Sequence, residues 1–214
     1  MRKFSGLVFS LGLAFMLLAL FAGMEFGETP MRVGQGILDK APAETGAANI
    51  VTAVVLGYRG IDTLGEIAIL FTAATAGGLL ISRQRERRPA SKDKDGGFVL
   101  STGADLLLPL LLVVGFYIIL HGHLTPGGGF QGGVILAAAF FVPILARPGQ
   151  TMNHAVLGWI EGLAGASFIA IGLLALNDGA AFLTPLFEPG QIGRLISASS
   201  LPLLYLALGL KVGS

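Results

Sequence analysis

The chain has 214 residues, 53% of them hydrophobic and only 13% charged, with a mean hydropathy of +0.77. That balance excludes an ordinary soluble domain and indicates an all-α, polytopic membrane protein of about six spans. A formal net charge of +1 gives a nucleic-acid partner no support, and the absence of cysteine excludes thiol catalysis, disulfides and the usual iron–sulfur ligands.

Three histidines leave little for a metal centre, so no cofactor and no catalytic residue is expected. If the chain belongs to a redox machine, the electrons travel elsewhere. In chain order, residues 7–22 form a first apolar run behind Arg2 and Lys3. The run exceeds a signal-peptide core and ends in Gly23-Met24-Glu25 without a small-residue cleavage site, so it reads as a retained span. Residues 25–59 form a polar connector with a short apolar insert at 50–56, the length of an interfacial or re-entrant helix. A second span covers residues 61–82. It stops at RQRERRPASKDKD, a basic linker that divides the chain into 1–82, the linker 83–97 and 98–214.

Four more spans are expected beyond the linker: from Phe98 or Thr102 to Leu120, then 131–146, 155–176 and 193–210, the last kinked at Pro202. Ser197, Ser199 or a neighbouring helix would then have to cover the carbonyl that Pro202 frees. Between the third and fourth lies HGHLTPGGGFQGG, residues 121–133. The flanking apolar runs, 106–120 and 134–145, are each short of the ~20 residues a bilayer needs. Part of the loop should therefore dip to membrane depth, where irregular backbone survives only inside protein or beside a wet cavity. Gly127, Gly128 and Gly129 permit a tight turn, Pro126 stiffens its entry, and Phe130 supplies one bulky anchor. A loop facing a partner or an ion path and a plain packed helix-to-helix turn are both open at this point.

Lysine and arginine set the orientation. With the N-terminus inside, ten basic residues fall on the cytoplasmic side, six of them between 83 and 94, against four outside (Arg32, Lys40, Arg59 and Arg194). Both termini and the linker are thus expected in the cytoplasm and the glycine loop on the outer face of the plasma membrane.

Ionisable groups inside spans are costly, so each is a functional candidate. Asp62 and Glu66 lie four apart on one helix face. Two carboxylates that close repel if both are ionised, so one should hold a proton or share a cation. For Asp62, helix capping and neutralisation by Arg59 is the competing role. His121 and His123, two apart, do not share a helix face and make a weak metal pattern; interfacial proton acceptance or polar helix termination suits them better. Asp105 reads as boundary chemistry. Glu161 lies ~9 Å inside the fifth span, with His154 on nearly the same face, as an inward proton or cation entry would require. Neutralisation by a neighbouring helix would explain Glu161 equally well. Gly158, Gly162 and Ala166 form a small-residue stripe expected to dock against another helix. No charge is expected at the bilayer centre, so partners must complete any ion path.

Two stretches carry a resemblance. HGHLTPGGGFQGGVILA resembles the signature of MrpB (MnhB) subunits of multi-subunit Mrp-type sodium/proton antiporters, over residues 98–214. TGAANIVTAVVLGYRGIDTLGEIAIL resembles the C-terminal region of the MrpA subunit, which is a separate small protein in membrane-bound energy-converting hydrogenases. The chain is therefore similar to a fusion of the two. The resemblance implies a non-redox, non-enzymatic component of a cation-translocating module, with sodium and protons as transported ions. The implied partners are other Mrp-type subunits and, in a redox-driven version, hydrogenase or complex-I-like subunits. On the motif it places Asp62, Glu66, His121, His123, Pro126, Gly127, Gly128, Gly129 and Phe130; Glu161 and His154 rest on burial cost alone.

Overall fold

In a computed structural model of the chain, residues 2–23, 32–85, 96–147 and 153–214 are described. Most of the expected basic linker, residues 86–95, lies outside them. The chain divides into two compact units, residues 1–36 and 37–214. The first contains α1 (Arg2–Ala22), whose 21 apolar-rich residues give about 31 Å of helix, enough to cross a bilayer.

The polar connector holds a helix not foreseen in the sequence, α2 (Arg32–Thr45). The apolar insert is helical but not uniform. Asn49 caps α3 (Ile50–Thr52) by accepting from the Val51 N–H, and the helix runs on as a π-helix over Ala53–Tyr58. Arg59 N–H reaches back to Val54 O at 2.8 Å, and Thr63 Oγ1 donates to Val55 O at 2.7 Å. The wider turn is thus closed by a hydroxyl from the next helix. That helix, α4 (Gly60–Arg85), is the second span.

The last four helices are α5 (Gly97–Leu120), α6 (Gly129–Ala146), α7 (His154–Leu174) and α8 (Leu201–Gly213). Asn153 caps α7 by accepting from Ala155 and Val156 N–H. Packing centres on α6 and α8: α5 lies against α6, α8 crosses both, and α7 covers the other side of α8. The core they share includes Leu56, Ile119, Phe168, Leu201, Leu204 and Leu208, all buried. In lipid such packing, and not the expulsion of water, holds helices together.

Among the described residues five helices have the length and apolarity of a span: 4–22, 60–81, 97–120, 129–146 and 154–177. Three expectations change. α5 starts at Gly97, next to the earlier of the two starts expected, and α6 at Gly129, two residues before the one expected; with both at span length, the loop between them, 121–128, need not enter the layer. The sixth span expected at 193–210 is replaced by an irregular stretch ending in Ser200 and the 13-residue α8, about 20 Å long and too short to cross. Gly193, Ala198 and Ser199 have positive φ, which breaks any helix there, and Pro202 starts α8 instead of kinking it. No carbonyl is freed for Ser197 or Ser199 to cover. Finally, Gly158 and Gly162 face open space within the chain, because α7 docks through Ala164, Phe168 and Gly172.

Candidate ion-handling sites

Asp62 sits in the first turn of α4, where a negative charge complements the helix dipole. Arg59 grips it, with Nε donating to Oδ2 at 2.5 Å, and both side chains are largely exposed. Asp62 is therefore neutralised by Arg59, as weighed for it, through the ion pair and the helix dipole and not through a side-chain cap. Glu66, one turn on, forms no ion pair among the described residues. It is exposed on the wall of an open groove of about 540 Å³ that Val54, Val55, Arg59, Asp62 and Thr63 also line. The two carboxylates share a site, as their spacing required, but only Asp62 is neutralised within it.

The glycine loop is a structural junction. Gly122 O accepts from Asn49 Nδ2 at 2.8 Å and from Thr52 Oγ1 at 2.6 Å; Asn49 Nδ2 also donates to Thr125 O, and Asn49 N–H donates to His123 O. Tyr205 of α8 donates its hydroxyl to Thr52 Oγ1 at 2.7 Å, so the 49–52 turn, the loop and α8 form one hydrogen-bonded chain. Gly128, at φ +133°, lies flat on the Tyr205 ring, where an added Cβ would come within 2.7 Å of Cε1. Gly127 also has positive φ, Gly129 opens α6, Pro126 is exposed, and Phe130 packs on the core as the anchor expected. Asn49 and Thr52 do not stand out in the sequence as functional residues; asparagine directly before an apolar run is the capping signal that could have found the first.

The two loop histidines part company. His121 stacks on Tyr117 with ring centroids 4.1 Å apart, its Nδ1 3.0 Å from Tyr117 O. His123 is 0% exposed: its Nε2 lies 3.4 Å from Arg194 O, and its Nδ1 finds no hydrogen-bond partner among the described residues. Burial pushes its pKa below the ordinary value, only partly opposed by the carbonyls of Arg194 and Leu195. The folded chain thus resists the proton that the unfolded chain accepts below a pH of about 6.5. Stability contributed by neutral His123 is full above that pH and is lost as pH falls through the lowered folded value. Melting temperatures of the purified protein, measured from pH about 8 down to about 5, should fall more steeply for the native protein than for His123→Gln. Equal slopes would show that His123 is not the group responsible.

At the opposite end, Arg147 clasps Asp105 with both guanidinium nitrogens and reaches Ser101 O, tying the start of α5 to the end of α6. Asp105 is boundary chemistry, as expected. His154 is exposed in the first turn of α7. Glu161, seven residues on, is ion-paired with Lys211 of α8. The charge count along the sequence treats Lys211 merely as an inner basic residue. Its side chain is 7% exposed, and its ammonium lies 4.4 Å from the centre of the Phe71 ring on α4. Glu161 is roughly 10 Å from the start of α7, and Lys211 stands in the last turn of α8. The pair therefore lies at the depth expected for Glu161, with a neighbouring helix supplying the opposite charge, as one of the two roles weighed for it requires. Removing one partner would strand the other, at a cost of order 3 kcal/mol.

These groups are held by a fold with known counterparts. A family model described as a domain related to the MnhB subunit of Na+/H+ antiporter matches residues 99–214, and that of MbhE, a component of MBH, matches residues 2–94. Together they reproduce the fusion that the two motifs implied. A Na(+)/H(+) antiporter subunit from Bacillus subtilis is 31% identical over 105 residues, 48% of this chain and 73% of that protein. In the solved structure of the membrane-bound sulfane sulfur reductase, an archaeal respiratory membrane complex, a similar chain is 38% identical with a TM-score of 0.81, over 99% of this chain and 93% of that one. A chain in the Mrp complex from a Dietzia species shares the fold, with a TM-score of 0.77 and 24% identity over 99% of this chain and 25% of that one. With more than half of its length matched by the first of those family models, the protein belongs to the family of domains related to the MnhB subunit of Na+/H+ antiporters.

Proposed function

We propose that the protein is a non-redox, non-catalytic subunit of an Mrp-type module that exchanges sodium for protons within a larger complex. The observation that carries this reading is Glu66, a carboxylate inside a span, exposed in a groove and without an ion pair among the described residues. Lipid would penalise such a group by about 2.5–3.5 kcal/mol or more on insertion scales, so a neighbouring subunit or a transported cation must face it. Asp62 and Arg59 tune the mouth of that groove. Other Mrp-type subunits supply the remaining polar route, and the likeness to a respiratory-complex chain supports a redox-driven parent as a variant of the same role, its electrons carried elsewhere. The module sits in the plasma membrane with its N-terminus and the 83–97 linker in the cytoplasm, the linker joining a 1–82 segment to a 98–214 domain. α8, too short to cross alone, ends with Gly213 and Ser214 beside Leu157 near the cytoplasmic start of α7, which supports a C-terminus on that side too.

The glycine loop favours a second role beside the first. The Gly122 and Thr125 carbonyls accept from Asn49 and Thr52, Gly128 packs on Tyr205 and Phe130 on the core, so the loop acts by joining the two halves and not by contacting ions. In the intact complex, Glu66→Ala should abolish sodium-dependent proton movement in membrane vesicles while the amount of assembled complex stays normal. Normal transport per assembled complex would leave only the scaffold role.

A further inference from the structure

Groove, loop and histidines leave one pair of charges without a role. Glu161 and Lys211 meet where three helices converge: α7 carries the carboxylate, α8 the ammonium, and α4 lays the face of Phe71 against it. Desolvating Lys211 almost fully and Glu161 for the greater part is expensive, and apolar side chains of similar size would serve a purely structural contact as well. The other titratable groups on the elements around the pair are committed or distant. Tyr205 on α8 is bonded to Thr52, and His154 stands exposed seven residues before Glu161 on α7. Of the charged α4 groups on the described side chains, Asp62 and Glu66 lie in the groove with Val54 and Val55, while the α4 stripe toward the bundle runs through Thr63, Ile67 and Phe71.

We propose that Glu161 and Lys211 form a proton-exchanging pair, the protonation step that the second half of this chain contributes to translocation; this rests on the reading of the protein as a translocating subunit. The proton on Lys211 Nζ passes to Glu161 Oε1, turning ammonium and carboxylate into amine and carboxylic acid with no change in total charge. The acid then releases its proton toward the His154 end of α7. The amine takes up another from an acidic group of a neighbouring subunit, which restores the pair with one proton moved.

Two variants in the intact complex test this. K211R keeps the charge and the ion pair, but a guanidinium gives up its proton at least about a hundredfold less readily than an ammonium. E161Q/K211M removes both charges while keeping the volume. Both should assemble, and proton movement per assembled complex should fall by about the same hundredfold in K211R and to background in the neutral pair. A structural ion pair predicts the opposite, normal transport per complex in both, and that result overturns the proposal. If both variants transport normally while Glu66→Ala does not, the pair is inert and the translocating role stands; normal transport in K211R alone overturns proton release by Lys211. Normal transport in all three would remove the translocating role itself.

Discussion

Gly132→Val should leave almost no correctly packed protein in the membrane. A Cβ at Gly132 would stand 2.4 Å from Ile119 Cγ1, 2.7 Å from the Gly115 carbonyl oxygen and 3.1 Å from Ile119 N. The isoleucine tip can turn aside, but the α5 backbone cannot. On the facing helix Gly115 is equally tight, with Leu136 within 2.8 Å of any added Cβ. Valine therefore drives α5 from α6 and loosens the seat that both offer to α8. Overpacking of this kind costs about 1–3 kcal/mol where side chains can adjust, and more where backbone must move. Because lipid does not push apolar helices together, lost contact is not recovered elsewhere. We expect the monodisperse yield from solubilised membranes to drop by more than about tenfold, as more than 1.4 kcal/mol implies. A Gly158→Val control, whose Cβ meets nothing within 4 Å, should leave that yield unchanged. A native yield for Gly132→Val would mean that close approach of α5 and α6 is not what holds the bundle.

Asn49→Ala should weaken the junction between the two halves nearly as much. Its Oδ1 caps α3 at Val51 N–H, and its Nδ2 donates to Gly122 O and Thr125 O. The cap contributes about 1 kcal/mol and each bond to the loop about 1 kcal/mol, near 3 kcal/mol in all. Thr52 still donates to Gly122 O in the variant, so the Thr125 carbonyl suffers most. The measurement is the thermal midpoint of the purified complex. Asn49→Ser can still cap and should recover about 1 kcal/mol of the loss. If Asn49→Ala melts with the native protein, the junction is held elsewhere and the hydrogen-bonded loop is incidental to it.

Much of the architecture was legible in composition and periodicity because a bilayer imposes a length rule on apolar runs. Five spans follow from that rule, and so does the shared groove of Asp62 and Glu66, since a four-residue spacing on a helix leaves no other geometry. The family was legible in two short motifs. The same rule misjudged residues 193–210, where hydropathy is high but the backbone takes positive φ at three positions. Hydropathy measures side chains, and it is blind to a main chain that cannot be helical. The small-residue stripe of α7 misled for a related reason: spacing reports a face, not which neighbour reaches it.

Sequence by itself determined that this is a helical membrane protein, where five of its expected spans lie, and that Asp62 and Glu66 line one groove. Tertiary structure alone decided what each charge meets. It brought Lys211 across α8 to Glu161 and Phe71, buried His123 beneath Arg194, and locked Gly122 to Asn49 and Thr52, partners some 70 residues away along the chain. Helix periodicity fixes a direction around one axis. The partner found in that direction depends on how two axes cross, and that crossing is set here by glycines whose role is visible only once the neighbouring backbone is in place.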